Sequence, residues 1–246
     1  EGLPQAKEFP VGPKVDLSKD RVRRGEMLWN DGTMCFQQWQ SCASCHPDGR
    51  VDGLNWDLLN DGMGNPKQTK NELYTQWTPP TMVTGIRKDM HECNRAGLIH
   101  IQFVTRPEED VHCFDAYVTA MKPVPSPYLV NGALSERAKR GEALFKKAKC
   151  ADCHTADSKG PNGEHLWTDR KPYDVGVGTG TEAGRKFDTP TLAEVWRTAP
   201  YLYDGRALTM EEVLTTANPN DAHGETSKLS PEEIKDLAEY VLRSEE

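Results

Sequence analysis

Two short stretches of this sequence share one pattern, Cys42-Ala43-Ser44-Cys45-His46 and Cys150-Ala151-Asp152-Cys153-His154. Cysteines at positions i and i+3 lie on one side of a helical turn, so both thiols can reach one edge of a flat macrocycle. The histidine that follows can then direct a ring nitrogen at a central metal. The pattern is typical of covalent haem c attachment. We therefore predict two covalently attached haem c groups, bound by Cys42, Cys45, Cys150 and Cys153, with His46 and His154 as proximal iron ligands.

Two other metal or redox sites use paired cysteines. A zinc ribbon holds one metal with four thiolates, but here the pairs are more than a hundred residues apart and each has its own histidine. A thioredoxin-like site needs one C-x-x-C in a βαβ setting, and no such setting is visible in the sequence. Haem is therefore the favoured interpretation of both stretches.

Composition and charge exclude several functions. The chain has 30 basic and 38 acidic residues and a formal net charge of −8, which argues against nucleic acid as a partner. The mean hydropathy is −0.72, and the apolar stretch around residues 98–104 is far too short for a membrane span. Haem attachment of this kind takes place outside the bacterial cytoplasm. We therefore expect a periplasmic or extracellular protein whose signal peptide has been removed.

The chain contains an internal duplication. The pattern Leu-Ser, Arg, Arg-Gly-Glu, Leu and an aromatic residue occurs at residues 17–29 and again at 134–145, each time ahead of one cysteine motif. The spacing from Gly25 to Cys42 is 17 residues and that from Gly141 to Cys150 is 9, so the first copy has an eight-residue insertion. Ser18 is predicted to cap the first helix.

Both copies end in the pattern of an amphipathic helix. Residues 107–118 and 230–241 begin with proline and acidic residues, which favour a helix start, and continue with one apolar stripe. Glycine inside a helix costs about 1 kcal/mol relative to alanine. We therefore predict that Gly25 and Gly141 permit close helix crossings, with Tyr117 and Tyr240 packed over them.

The order of these features resembles the class I cytochrome c fold, present twice. The resemblance implies a mainly α-helical protein with two tandem class I cytochrome c-like domains and long haem-wrapping loops. We predict an extended lead-in over residues 1–16, the first domain over 17–121, a proline-rich linker over 122–132 and the second domain over 133–246.

The second half resembles a narrower family. The segments 187–192, 196–206 and 209–213 are similar to the C-terminal haem domain of the bacterial dihaem cytochrome c peroxidases and their MauG relatives, whereas the first half lacks the Trp-Asp-Gly-Arg segment and the peroxidatic glutamine and glutamate. The resemblance also implies a calcium ion between the domains. Carbonyl groups of Thr198 and Pro200 could bind it, but Trp77 occupies the place of an asparagine ligand.

The duplication also indicates the distal iron ligands. His100 lies 17 residues before Tyr117, and His223 lies 17 residues before Tyr240, so both histidines occupy the same place in their copies. We predict that they complete two bis-histidine centres. Met63, Met82 and Met90 are rivals for the first iron, and Met34 is a weaker one.

These residues predict an electron-transfer protein. A haem with both axial positions filled passes electrons, whereas an open position permits chemistry on a bound substrate. We therefore expect single-electron transfer to and from redox partner proteins. The alternative is a peroxidase or MauG-like oxidoreductase with an open distal site on the first haem. Arg197 and Arg206 are candidate partners of the haem propionates, and the basic residues of 137–149 could face an acidic redox partner.

Three cysteines remain after haem attachment, Cys35, Cys93 and Cys113. An oxidising compartment would permit a disulfide between Cys93 and Cys113, closing a loop of about 20 residues. Three unbonded, buried thiols are the alternative.

Overall fold

The computed structural model describes residues 15–58 and 63–243, so most of the predicted lead-in lies outside the described residues. The fold is mainly α-helical, as predicted. Its helices are α1 (Arg21–Asn30), α2 (Cys42–Cys45), α3 (Met90–His100), α4 (Glu108–Ala120), α5 (Glu136–Lys147), α6 (Met210–Leu214) and α7 (Pro231–Val241). Two antiparallel two-stranded sheets join β1 (Asn55–Trp56) to β2 (Lys67–Gln68) and β3 (Pro172–Tyr173) to β4 (Phe187–Asp188). Within the described ranges, no helix has both the length and the apolar character needed to cross a membrane.

The helix starts follow from side chains that accept hydrogen bonds from free backbone N–H groups. Ser135 caps α5, and Ser230 and Glu233 form a reciprocal capping box on α7. The prediction for α1 was wrong, because Asp20 rather than Ser18 is its cap. Ser18 instead donates its hydroxyl to Asp16 in the preceding turn.

Each half is built on one close helix crossing, as the glycines predicted. A Cβ atom at Gly25 of α1 would lie 1.9 Å from the Cys113 carbonyl oxygen of α4 and 2.8 Å from Tyr117 Cβ. A Cβ atom at Gly141 of α5 would lie 2.0 Å from the Asp236 carbonyl oxygen of α7 and 2.7 Å from Tyr240 Cβ. These crossings anchor two hydrophobic clusters, of which one lies in the second half and the other combines first-half residues with Leu166 and Ala193 of the second half.

The duplication extends into the loops between these helices. One 3₁₀ turn covers Thr75–Trp77 and another covers Val195–Arg197, and each follows a residue in the left-handed region. An isolated bridge then joins Thr81 to Arg87 and, 120 residues later, Tyr201 to Ala207. The first half therefore repeats the backbone of residues 201–207 at residues 81–87, with mostly different side chains.

The two halves meet through buried ion pairs of consistent polarity. Three such pairs occur among residues 15–58 and 63–243, and in each the cation comes from the first half and the carboxylate from the second: Arg50 with Glu194 at 2.7 Å, Lys67 with Glu182 at 3.2 Å, and Lys70 with Asp188 at 2.6 Å. Glu194 is fully buried and binds Arg50 through both carboxylate oxygens. This bidentate geometry fixes the relative position of the two halves.

The expected disulfide is absent, since both Cys93 and Cys113 have free thiols. The Cys93 thiol lies 3.6 Å from the sulfur of Met82. Cys113 is buried where α4 crosses α1, and its carbonyl group lies against Gly25. Cys113 therefore lies in the crossing of α4 with α1, whereas Cys93 lies on a different element, α3.

Candidate functional site

The first cysteine motif forms helix α2. Ser41 and Ser44 cap its start, and the backbone N–H of His46 donates to the Cys42 carbonyl at 2.9 Å. Nδ1 of His46 donates to the Arg50 carbonyl at 3.2 Å. A backbone carbonyl can only accept, so this bond leaves Nε2 unprotonated and able to bind a metal.

The second motif has the same organisation in a 3₁₀ turn, Cys150–Asp152. Nδ1 of His154 donates to the Trp167 carbonyl at 3.1 Å, so its Nε2 is also available to a metal. Burial lowers the pKa of His154, although its backbone partner and Asp169 oppose that effect. The neutral imidazole, which is the form that binds iron, is therefore favoured at this position.

His223 faces His154 across the second cavity. The two ring centroids lie 6.4 Å apart at an interplanar angle of 49°. Two metal–nitrogen bonds of about 2 Å, together with the radii of the two rings, account for a separation of this size. Burial lowers the pKa of His223 to about 4, and the charge of His154 contributes less. Its Nδ1 is buried with no hydrogen-bond partner among the described residues.

Asn218 holds the loop of His223 in place. Its side-chain oxygen accepts from the His223 backbone N–H at 2.8 Å, and its amide nitrogen donates to the carbonyl groups of His223 and Gly224. The second cavity has a volume of about 320 Å³ and is lined mainly by apolar side chains. Two facing neutral imidazoles, paired cysteines and an apolar wall fit a haem c group.

The first cavity is larger, with a volume of about 750 Å³. His46 and His100 both line it, but His100 is an exposed residue at the end of α3. Among the described residues, no histidine ring faces His46 as His223 faces His154; its ring neighbour is Trp29, at a centroid distance of 6.0 Å. The two copies therefore differ on the side of the cavity opposite the proximal histidine.

The methionine rivals for the first iron have different environments. Met82 lines the first cavity, beside Cys93. Met90 is buried in the hydrophobic core of the first half, and Met63 is 84% exposed. Met34 packs against the same core. Met82 is therefore the methionine of this group that lies at the cavity.

The two arginines predicted as propionate partners lie outside both cavity linings. Arg206 donates to Asp204 and to the Tyr203 hydroxyl, and its guanidinium lies over the Tyr203 ring. Arg197 lies 3.6 Å from Glu194 and over the ring of Trp196. Both positive charges thus already have protein partners.

Basic residues of the segment 137–149 likewise pair with protein carboxylates. Arg140 binds Asp236, and Lys146 lies 3.4 Å from Glu142. The Lys149 side chain pairs with Glu225. These pairs reduce the net positive field that this face could offer to an acidic partner.

One short segment separates the two cavities. Residues 68–71 and Val83 line both of them. Within this wall, Lys70 donates to Asp188 at 2.6 Å and to the Met82 carbonyl at 3.3 Å. The spacing of motifs along the sequence could not predict this wall, because its position depends on how the two halves pack together.

The calcium prediction has no support in the fold. Across residues 15–58 and 63–243, no group of three or more His, Cys, Asp or Glu side chains could hold a metal ion. Gly53 approaches the Ala199 carbonyl and Pro200 near the predicted position, and Trp77 packs against Gly160 of the second half.

Comparisons with known proteins agree on the type of protein. Residues 138–245 match the cytochrome c family model. The hydrazine synthase subunit gamma of Kuenenia stuttgartiensis is 30% identical, over 92% of this chain and 78% of that protein. The cytochrome c551 peroxidase of Nitrosomonas europaea is 33% identical, over 84% of this chain and 75% of that protein. A structure of Kuenenia stuttgartiensis hydrazine synthase superposes with a TM-score of 0.81 and 25% identity, covering 98% of this chain and 97% of that one.

Proposed function

Because this chain belongs to the dihaem cytochrome c family that includes MauG, the cytochrome c peroxidases and hydrazine synthase subunit gamma, we propose that it is an oxidoreductase with two unequal haem c centres. Cys150, Cys153, His154 and His223 hold an electron-transfer haem in the second half. Cys42, Cys45 and His46 would hold a haem in the first half, and that haem would supply the redox chemistry for a small substrate.

The pairing of His154 with His223 carries the proposal. A centre with imidazole on both axial positions has no place for a substrate, so its role is to pass electrons. Asn218 keeps His223 in position with three hydrogen bonds, which favours a permanently closed centre.

The first cavity supports the opposite role. It has more than twice the volume of the second, and it is lined by polar side chains that do not line the second, including Gln40, Asn94 and Gln102. Polar groups at a haem can orient a small ligand and manage its protons. Lys70 lies in the wall between the cavities, where it pairs with Asp188 of the second half.

Titration with azide tests this assignment. We expect azide to bind one haem per chain in the oxidised protein, and we expect His223→Ala to raise this to two, because it would free a position at the second haem. His100→Ala is the matched control in the first copy and should leave one azide per chain. Azide binding at neither haem, or at the second haem of the unaltered protein, would contradict the proposal.

Electron transfer alone is the second candidate, because His100 lines the first cavity. In that case His100 binds the first iron, and both centres are bis-histidine. His100→Ala distinguishes the two functions. The electron carrier would gain a high-spin haem in this variant, whereas the proposed oxidoreductase would keep its spectrum.

The proposal includes a location and partners. Covalent haem attachment to both cysteine motifs implies maturation outside the cytoplasm, so we place the protein in the periplasm or outside the cell. Electrons would be exchanged with redox partner proteins. One relative is named as a subunit gamma, which supports assembly with further subunits; the sedimentation coefficient of the protein from its native source would test this.

A further inference from the structure

Glu72 lies beside the first proximal histidine and breaks the symmetry of the duplication. Its Oε1 lies 3.6 Å from Nδ1 of His46. The backbone correspondence that pairs Thr75–Trp77 with Val195–Arg197 places Leu192 at the same position in the second copy. The first proximal histidine therefore has a carboxylate neighbour where the second half has an apolar side chain.

Glu72 is fixed in this position. Its backbone N–H donates to the Gly49 carbonyl at 3.0 Å, and Gly49 N–H donates to the His46 carbonyl at 2.9 Å. The Thr75 hydroxyl lies 3.2 Å from its Oε2. The chain that carries the carboxylate is thus bonded to the segment that follows the proximal histidine, so the distance between them cannot change freely.

Within the described ranges, Glu72 forms no ion pair with a lysine or an arginine. Its side chain is only 13% exposed, and among the residues that the structure describes His46 is its one ion-pair partner. In the second half, Asp169 acts on His154, but its carboxylate is directed to the Tyr173 hydroxyl at 2.6 Å. The two proximal imidazoles therefore experience different fields.

We propose that Glu72 is a positioning and tuning residue that makes the His46 imidazole a stronger electron donor than the His154 imidazole. A carboxylate close to Nδ1–H attracts that proton and increases the basicity of Nε2, the metal-binding nitrogen. The same negative charge stabilises the more oxidised iron. This inference rests on the proposed function, because a strong proximal donor suits a centre that reacts with a substrate and has no advantage in a simple relay.

The test is Glu72→Gln in the haem-loaded protein, which removes the charge and keeps the size of the side chain. We expect the midpoint potential of the first haem to rise and that of the second to stay unchanged. In the reduced protein, we expect the iron–histidine stretching band of the first haem to move to lower frequency. Glu72→Asp keeps the charge at a greater distance and should give a smaller rise.

Asp57→Asn is the matched control, since Asp57 lines the same cavity and accepts from the Gly64 N–H. An unchanged potential and band in Glu72→Gln would overturn the inference. Equal shifts in Glu72→Gln and Asp57→Asn would also overturn it, because they would show a general effect of cavity charge. The midpoint potential and the iron–histidine band are both measured without turnover. The inference about Glu72 can therefore fail while azide still binds one haem, and azide binding can fail while Glu72→Gln still shifts the potential.

Discussion

The crossing of α5 and α7 gives a sharp test of how the fold is built. An added methyl group at Gly141 would lie 2.0 Å from the carbonyl oxygen of Asp236 and 2.8 Å from its carbonyl carbon. Both are backbone atoms, so no rotamer change can relieve the overlap. Gly141→Ala must therefore push the two helices apart, together with the core that Tyr240 and Leu237 form between them.

The expected magnitude follows from two opposing effects. Overpacking a well-packed contact costs about 1–3 kcal/mol, and a clash against backbone belongs at the upper end. Alanine recovers about 1 kcal/mol relative to glycine in a helix. We therefore expect Gly141→Ala to lower the free energy of unfolding by about 2 kcal/mol. Urea unfolding of the haem-loaded protein, followed by far-ultraviolet circular dichroism, measures this change.

Ala143→Gly is the control, because Ala143 is exposed on the same helix. It should cost about 1 kcal/mol through helix propensity alone. Gly25→Ala should repeat the result in the first half, since its Cβ would lie 1.9 Å from the Cys113 carbonyl oxygen. If Gly141→Ala were as stable as the unaltered protein, the glycine would not be required by close packing.

The junction between the halves gives two more predictions. Arg50→Met removes the bidentate partner of the fully buried Glu194 and leaves it Arg197 and the Val124 N–H, so urea unfolding should show a loss of about 3 kcal/mol, partly restored in the double variant with Glu194→Leu. Burial raises the pKa of Asp188, and Lys70 opposes that rise. A folded-state pKa above the unfolded value means that stability falls as pH rises through this interval. Lys70→Met should therefore destabilise the fold more at pH 7 than at pH 4; equal losses in urea midpoint would contradict this.

Features that depend on local sequence were predicted well. The glycine crossings follow from a residue type with no Cβ inside an amphipathic helix, and the structure places Cys113 and Asp236 against them. Counting along the duplication put His100 and His223 at the same position of their copies; the structure places His223 opposite His154 and His100 at the exposed end of α3, and iron binding by either stays a prediction. The loop of His223 is held by Asn218, whose three hydrogen bonds the sequence pattern could not indicate.

Features that depend on packing between distant segments were missed. Lys70 and Asp188 are 118 residues apart, and neither lies in a motif, so their pairing appears only when the halves meet. Comparing the sequences of the two copies did not identify Glu72, because the side chains of its loop differ from those of the second copy. The correspondence is visible only in the backbone of the two loops. The Cys93–Cys113 disulfide was expected from sequence separation, which gives no information about the elements on which two cysteines lie.

Low-temperature electron paramagnetic resonance of the fully oxidised protein tests the inequality of the two centres most directly. The account predicts one low-spin ferric signal from the centre of His154 and His223 and one high-spin ferric signal from the centre of His46. His223→Ala should convert the low-spin signal to high spin. Two low-spin signals of bis-histidine type in the unaltered protein would contradict the account, because they would mean that the first centre is closed as well.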